Sequence, residues 1–218
     1  MSRKRFWFVI IAIAAFIGVV FFLFGGFIVR QFSDDGNRLK DISEIPQEAL
    51  QNGHVICRYG DGIWSDWIIE LNQRDRRYSH IGVLSVKEGK ATVIHADTTD
   101  RFAISGKVLE EPLETFTEQA RRIGIFRLKG VDPAQLVQCA RHYLGRPFDW
   151  KMDATEKDSL YCSELIKAAI DDTGNKNGWN CPTVTVGNTR LIPVDAFLNP
   201  EDADELYEWP SPGPVRQP

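Results

Sequence analysis

The first pattern along the chain is an unbroken apolar run. Residues 6–29 carry no charged side chain and no polar face. A helix buried in a soluble core keeps a polar side, whereas this one does not. At ~1.5 Å per residue it spans the ~30 Å hydrocarbon layer of a bilayer. Arg3, Lys4 and Arg5 precede it, and Asp34 and Asp35 follow. That asymmetry puts the N-terminus in the cytoplasm and the remainder outside. The expectation is therefore a transmembrane anchor over residues 1–30. The rival is a cleaved signal peptide, but signal h-regions run only ~7–15 residues, and no small-x-small site follows Gly26. No cysteine follows the run closely, which argues against a lipoprotein anchor. Residues 31–45 are polar and read as a linker, residues 46–210 as one globular domain, and residues 211–218 as a loose Pro-rich tail.

Beyond the linker the periodicities change from segment to segment. Residues 54–59 predict a short strand closed by Gly60-Asp61-Gly62. Residues 63–71 predict a helix, with Ile63, Trp64, Trp67, Ile68 and Leu71 at one-face spacing. Residues 79–86 and 91–97 predict a β-hairpin turning at Lys87-Glu88-Gly89-Lys90. A helix over about 113–120 leads to a strand over 123–128. Asp132 followed by Pro133 opens the next helix, as an N-cap with proline at the first helical position, and Gly145 closes it. Leu136, Val137, Ala140 and Leu144 form its apolar stripe. A further helix runs from about 159 to 174 with Leu165, Ile166, Ala169 and Ile170 inward. Pro193-Val194-Asp195 opens a short turn, and residues 205–209 read as a final strand. Strands and helices are mixed without strict alternation, which predicts an α+β domain.

Charge narrows the function. The chain has 218 residues, 26 Lys+Arg against 30 Asp+Glu, and a formal net charge of −4. Setting aside the three N-terminal basic residues takes −4 to −7 for the remainder. A mildly acidic domain without a basic stripe is not built to neutralise phosphates, so nucleic acid is excluded as a partner. The four cysteines, Cys57, Cys139, Cys162 and Cys181, contain no CxxC pair, which argues against a thioredoxin-type dithiol. If Cys162 stays free to react, at most one disulfide can form among the other three.

Cys162 falls at the start of a predicted helix, where unpaired N–H groups and the macrodipole favour a thiolate and can hold an oxyanion. The bland alternative is a small buried residue on an apolar helix. The hairpin supplies a partner. An even loop makes paired residue numbers sum to 177, so Gly82 faces His95 and His80 faces Asp97. His80 and His95 then lie diagonally on one face, with Cα atoms ~7–8 Å apart. One imidazole can act as base and the other can orient it, with Asp97 an alternative orienter. An odd loop would place them on opposite faces. The four histidines, His54, His80, His95 and His142, lack HExxH or any tight ligand spacing, so no metal and no organic cofactor is expected.

Tyr78-Ser79-His80-Ile81-Gly82, then His95, then Tyr161-Cys162-Ser163-Glu164-Leu165, resembles the circularly permuted NlpC-like cysteine peptidases, the YiiX-like group of papain-like amidases. In ordinary members the cysteine precedes the histidine; here the His-bearing hairpin comes first. Gly145-Arg146-Pro147-Phe148-Asp149-Trp150 is similar to a family segment near the catalytic cysteine, and residues 53–62 followed by Trp64 to its opening strand and turn. The resemblance implies a papain-like fold, an antiparallel sheet packed against helices, with Cys162 as nucleophile, His80 as general base and His95 in the third polar position. It offers Tyr78, Tyr161, Ser163 and Glu164 as substrate-side residues. Packing is an equal reading for the two tyrosines, and a first-turn complement to the helix dipole is another for Glu164. Arg101, Arg146 and Lys151 are either substrate-carboxylate contacts or solvated surface charge.

The expected chemistry is cofactor-free acyl transfer to water through an acyl-enzyme, on a peptide or amide substrate. The outward topology at a bacterial inner membrane suggests peptidoglycan fragments in the periplasm. Two rivals remain: a lipid thiol acyltransferase or phospholipase like the lecithin retinol acyltransferase group, and a non-catalytic binding module of the same fold. The first departs from this sequence at Tyr161-Cys162-Ser163-Glu164, where that group carries Asn-Cys-Glu-His.

Overall fold

Six strands make one antiparallel sheet in the order β4-β3-β2-β1-β5-β8. They are β1 (Val55–Gly60), β2 (His80–Lys87), β3 (Lys90–Thr98), β4 (Gly106–Pro112), β5 (Ala120–Leu128) and β8 (Ala203–Trp209). Among the described residues four α-helices accompany them: α1 (Ile63–Leu71), α2 (Leu113–Glu118), α3 (Pro133–His142) and α4 (Cys162–Asp172). A separate two-stranded ribbon, β6 (Val184–Val186) and β7 (Thr189–Leu191), and a short 3-10 helix (Val194–Phe197) lie between α4 and β8. This computed structural model describes residues 39, 41–60, 63–98, 106–118, 120–156, 158–174, 179 and 181–210. The predicted anchor, most of the linker and the tail lie outside the described residues, as does Arg101. Among the described residues no helix is long and apolar enough to cross a membrane.

The hairpin forms in the expected register. Lys87 pairs with Lys90 and Val83 with Ile94, so the numbers sum to 177. Its two-residue loop, Glu88 (φ 52°) and Gly89 (φ 78°), takes the left-handed conformation that the twist of the strands demands. Alternation then divides the sheet between two cores. Val55, Cys57, Ile81, Val83, Ile94 and Ala96 face α3 and α4. Ile56, Leu84, Val93, Ile123 and Ile125 face the opposite way, against Leu113 and Phe116 of α2 and the stretch around Ile45 and Leu50. Ile45 is thus part of the core, although it lies in the stretch expected to be linker.

The helices begin where their caps dictate. Asp132 accepts a hydrogen bond from the Gln135 N–H at 2.8 Å, and Pro133 occupies the first turn of α3. Leu136, Val137 and Ala140 are buried as expected, but Leu144 lies beyond the helix end and is 43% exposed. α4 starts at Cys162 rather than near Ser159, and Leu165, Ile166, Ala169 and Ile170 are fully buried. Each large side chain so enclosed contributes about 1.5–3 kcal/mol, which seats α4 firmly across β2 and β3. The helix predicted over residues 63–71 forms as α1, but its one-face spacing does not become one buried face. Trp64 and Trp67 are 63% and 42% exposed and meet each other edge to face at 6.3 Å, so the aromatic side of this helix is turned to solvent. β4 and the β6–β7 ribbon have no counterpart in the sequence reading.

Candidate active site

Cys162 is the first residue of α4, preceded by Tyr161 in extended conformation. The Tyr161 N–H donates to Glu164 Oε2 at 3.2 Å, one half of a capping box. Cys162 is free and 6% exposed. Burial pushes its thiol up to about 11, against the lowering influence of the Ser163 hydroxyl, 3.9 Å away, and of the Ile81 backbone N–H. The helix start alone led to the expectation of a thiolate; in the folded chain desolvation prevails and the resting group is a thiol.

The two hairpin histidines meet. His80 Nε2 and His95 Nδ1 are 2.8 Å apart, with the rings edge to face at 5.0 Å. The diagonal placement follows from the even loop. His95 is fully buried, and its Nε2 lies 3.0 Å from Glu111 Oε1 on β4. Phe116 of α2 packs on both rings, with centroids at 5.7 and 5.1 Å. Asp97, the alternative orienter, lies farther off, 3.9 Å from His80 Nε2 and 3.7 Å from His95 Nδ1. Its Oδ2 instead accepts from Arg58 Nη2 at 2.6 Å, and Arg58 also donates to the Phe116 carbonyl at 2.8 Å. Burial opposes the charge on Asp97, but His80, Arg58 and His95 outweigh it and hold the carboxyl at about 2. Burial drives His80 well below the ordinary imidazole range; Arg58 and His95 reinforce this and Asp97 counters it. His80 is therefore neutral at neutral pH.

Sulfur and imidazole belong to two faces of one sheet. α4 packs on the face that carries Ile81 and Ile94, while His80 and His95 alternate onto the Phe116 face. His80 and His95 lie at the end of the hairpin beyond the last β2–β3 register pair, Val83 with Ile94. There the sulfur lies against the backbone N–H of Ile81, the residue next to His80. Among the described residues no hydrogen bond joins Cys162 to His80. A cleft opens beside the sulfur, walled chiefly by Ile68, Leu71, Met152, Leu191 and Val194.

The other expected residues divide. Tyr161 and Ser163 line this cleft, and the Tyr161 hydroxyl accepts from the Ile192 N–H at 2.6 Å. Glu164 is buried behind them. Tyr78 does not line the cleft; it is wholly buried, edge to face with Phe126 and hard against Gly124. Lys151 is an exposed partner of Glu156, and the Arg146 guanidinium lies over Tyr143. Glu111, Arg58 and Phe116 were missed. Nothing in Glu110-Glu111 singles out the second acid until β4 is paired with β3.

Comparison with known proteins bears on the family and the fold. A model of the family described as permuted papain-like amidase enzymes, YaeF/YiiX, C92 family, matches residues 52–178, more than half of the chain. The crystal structure of YiiX from Escherichia coli O157:H7, described as a metalloprotein, has the same fold, with a TM-score of 0.58 at 18% identity. The match covers 72% of this chain and 96% of that one. No curated protein sequence matches the chain. His80, His95 and Asp97 do offer ligand atoms within 4.8 Å of one another. They do not make a cation cradle, because a guanidinium already occupies the Asp97 oxygen and the two imidazoles use their facing nitrogens on each other. With the histidine hairpin ahead of the cysteine helix and the family model matched across both, the chain belongs to the permuted papain-like amidases of the YaeF/YiiX, C92 family.

Proposed function

We propose that this chain is a cysteine hydrolase, held at a membrane by residues 6–29, that cleaves an amide bond through an acyl-enzyme. Cys162 is the nucleophile, His80 the general base and His95 the residue that orients it. The observation that carries the reading is the His80–His95 contact of 2.8 Å set one residue from the N–H that meets the Cys162 sulfur. His80 Nδ1 takes the thiol proton as sulfur attacks the carbonyl carbon. The same ring returns that proton to the leaving amine, and then activates water to release the acyl group. The helix start and the Ile81 N–H supply donors for the developing oxyanion. An outward-facing domain at a bacterial inner membrane suits cell-wall peptides as substrate. One observation favours a second substrate class: the cleft beside the sulfur is walled by aliphatic side chains, which suits a lipid acyl group, as in a thiol acyltransferase or phospholipase.

Alkylation of Cys162 by iodoacetamide, followed by peptide mass spectrometry, tests the catalytic pair. His80→Ala is expected to slow it by roughly 10²-fold or more. Because His80 stays neutral well below its usual range, the wild-type rate should not drop between pH 7 and pH 6. Equal labelling of wild type and His80→Ala would overturn the assignment and leave a binding module of this fold. Incubation with muropeptides and with phospholipids, each with Cys162→Ala as control, separates the two substrate classes.

A further inference from the structure

We propose that Glu111 is a positioning residue of this site: acting through His95, it decides which nitrogen of His80 carries the proton. The inference rests on the reading of Cys162 and His80 just given. With both rings neutral and Glu111 ionised, donor and acceptor chemistry permits one consistent assignment along the contacts. A carboxylate only accepts. Glu111 Oε1 lies 3.0 Å from His95 Nε2, so that nitrogen bears the hydrogen. A neutral imidazole has one N–H, so His95 Nδ1 is an acceptor. It lies 2.8 Å from His80 Nε2, which must therefore donate. His80 is left with its lone pair on Nδ1, the form a general base needs.

Among the described residues no other group facing the pair can impose this order. Arg58 comes from β1, Asp97 from β3 and Glu111 from β4, while α2 presents the apolar ring of Phe116. Asp97 Oδ2 lies 3.7 and 3.9 Å from the ring nitrogens, beyond a hydrogen bond, and is held by Arg58. It acts as fixed charge and leaves the tautomer to Glu111. The placement of Glu111 is a matter of register. Val93 pairs with Glu111 and His95 with Leu109, so Glu111 is the diagonal neighbour of His95 on one face of the sheet. During attack the sulfur electron pair forms the bond to carbon, and the thiol proton moves to His80 Nδ1. The imidazolium keeps its Nε2–H on His95, and no proton leaves the His95–Glu111 contact. With the tautomers reversed, Nδ1 already bears a proton and cannot accept another.

The test uses the full-length chain with ¹⁵N-labelled histidine, Glu111→Ala and Glu111→Gln. Ring-nitrogen NMR separates protonated from lone-pair nitrogens, a readout that a purely structural role would not move. In the wild type at neutral pH both rings should carry the proton on Nε2 alone. Glu111→Ala should show a mixed pattern, and Cys162 alkylation should slow by roughly 10- to 100-fold, short of losing the base itself. Glu111→Gln, which keeps an acceptor oxygen in place, should restore the pattern and most of the rate. A wild-type proton on Nδ1 of either ring, or an alanine variant with unchanged pattern and rate, overturns the proposal. Glu111→Leu carries the same test if the alanine variant does not fold. The His80→Ala control keeps the two readings apart: undiminished labelling there removes the base assignment, while the ring-proton pattern still judges Glu111.

Discussion

Glu164 is the residue whose surroundings most alter its chemistry. Burial raises its carboxyl, the Tyr161 N–H lowers it, and Asp149, Asp153 and Glu156 raise it further, to about 8 from an ordinary 4.5. A carboxyl raised in this way binds its proton more tightly in the folded chain than in the unfolded one. Stability therefore falls as pH climbs from about 4.5 to about 8 and is level beyond. Glu164→Gln keeps the acceptor for the Tyr161 N–H and removes this dependence. The variant should match the wild type near pH 4 and exceed it above pH 8 by on the order of a few kcal/mol. Thermal melts across that range check it, and parallel curves would count against it. The residue thus serves the cap that sets Cys162 at the helix start, whether or not it also meets substrate.

At the scale of elements the histidine hairpin does most to shape the site. Its strands approach closely at Gly82, where an added Cβ would lie 2.5 Å from Val93 Cγ1 and 3.0 Å from His95 Cβ. Gly82→Ala should therefore push β2 away from β3 just where the imidazoles meet. The expected loss is about 1–3 kcal/mol in urea unfolding, together with slower Cys162 alkylation. A variant of full stability and wild-type labelling rate would show that the close approach is not needed. The even loop of Glu88 and Gly89 was legible because alternation and loop parity are local properties. The exposure of Trp64 and Trp67 was not, because periodicity identifies a face without saying which way it is turned.

Over the whole molecule, the apolar N-terminal sequence of residues 6–29 precedes the folded domain. All four cysteines are free, and burial raises the thiols of Cys57, Cys139 and Cys181 as it raises that of Cys162. The proposed anchor makes its own prediction. The full chain should stay with the membrane fraction through alkaline carbonate extraction, and a chain lacking residues 1–37 should be released. Extraction of the full chain into the supernatant would remove both the anchor and the cell-envelope setting.

The sequence by itself determined the α+β class, the hairpin register that sets His80 diagonal to His95, the start of a helix close to Cys162, and the family to which these motifs belong. Each depends on short-range rules: alternation, loop parity, capping and motif order. Only the tertiary structure decided that β4 forms and brings Glu111 to His95, that Arg58 claims Asp97, and that the thiol is desolvated. Those outcomes turn on which distant strand pairs at an edge and on how much water the assembled layers exclude, neither of which is written in any local stretch of chain.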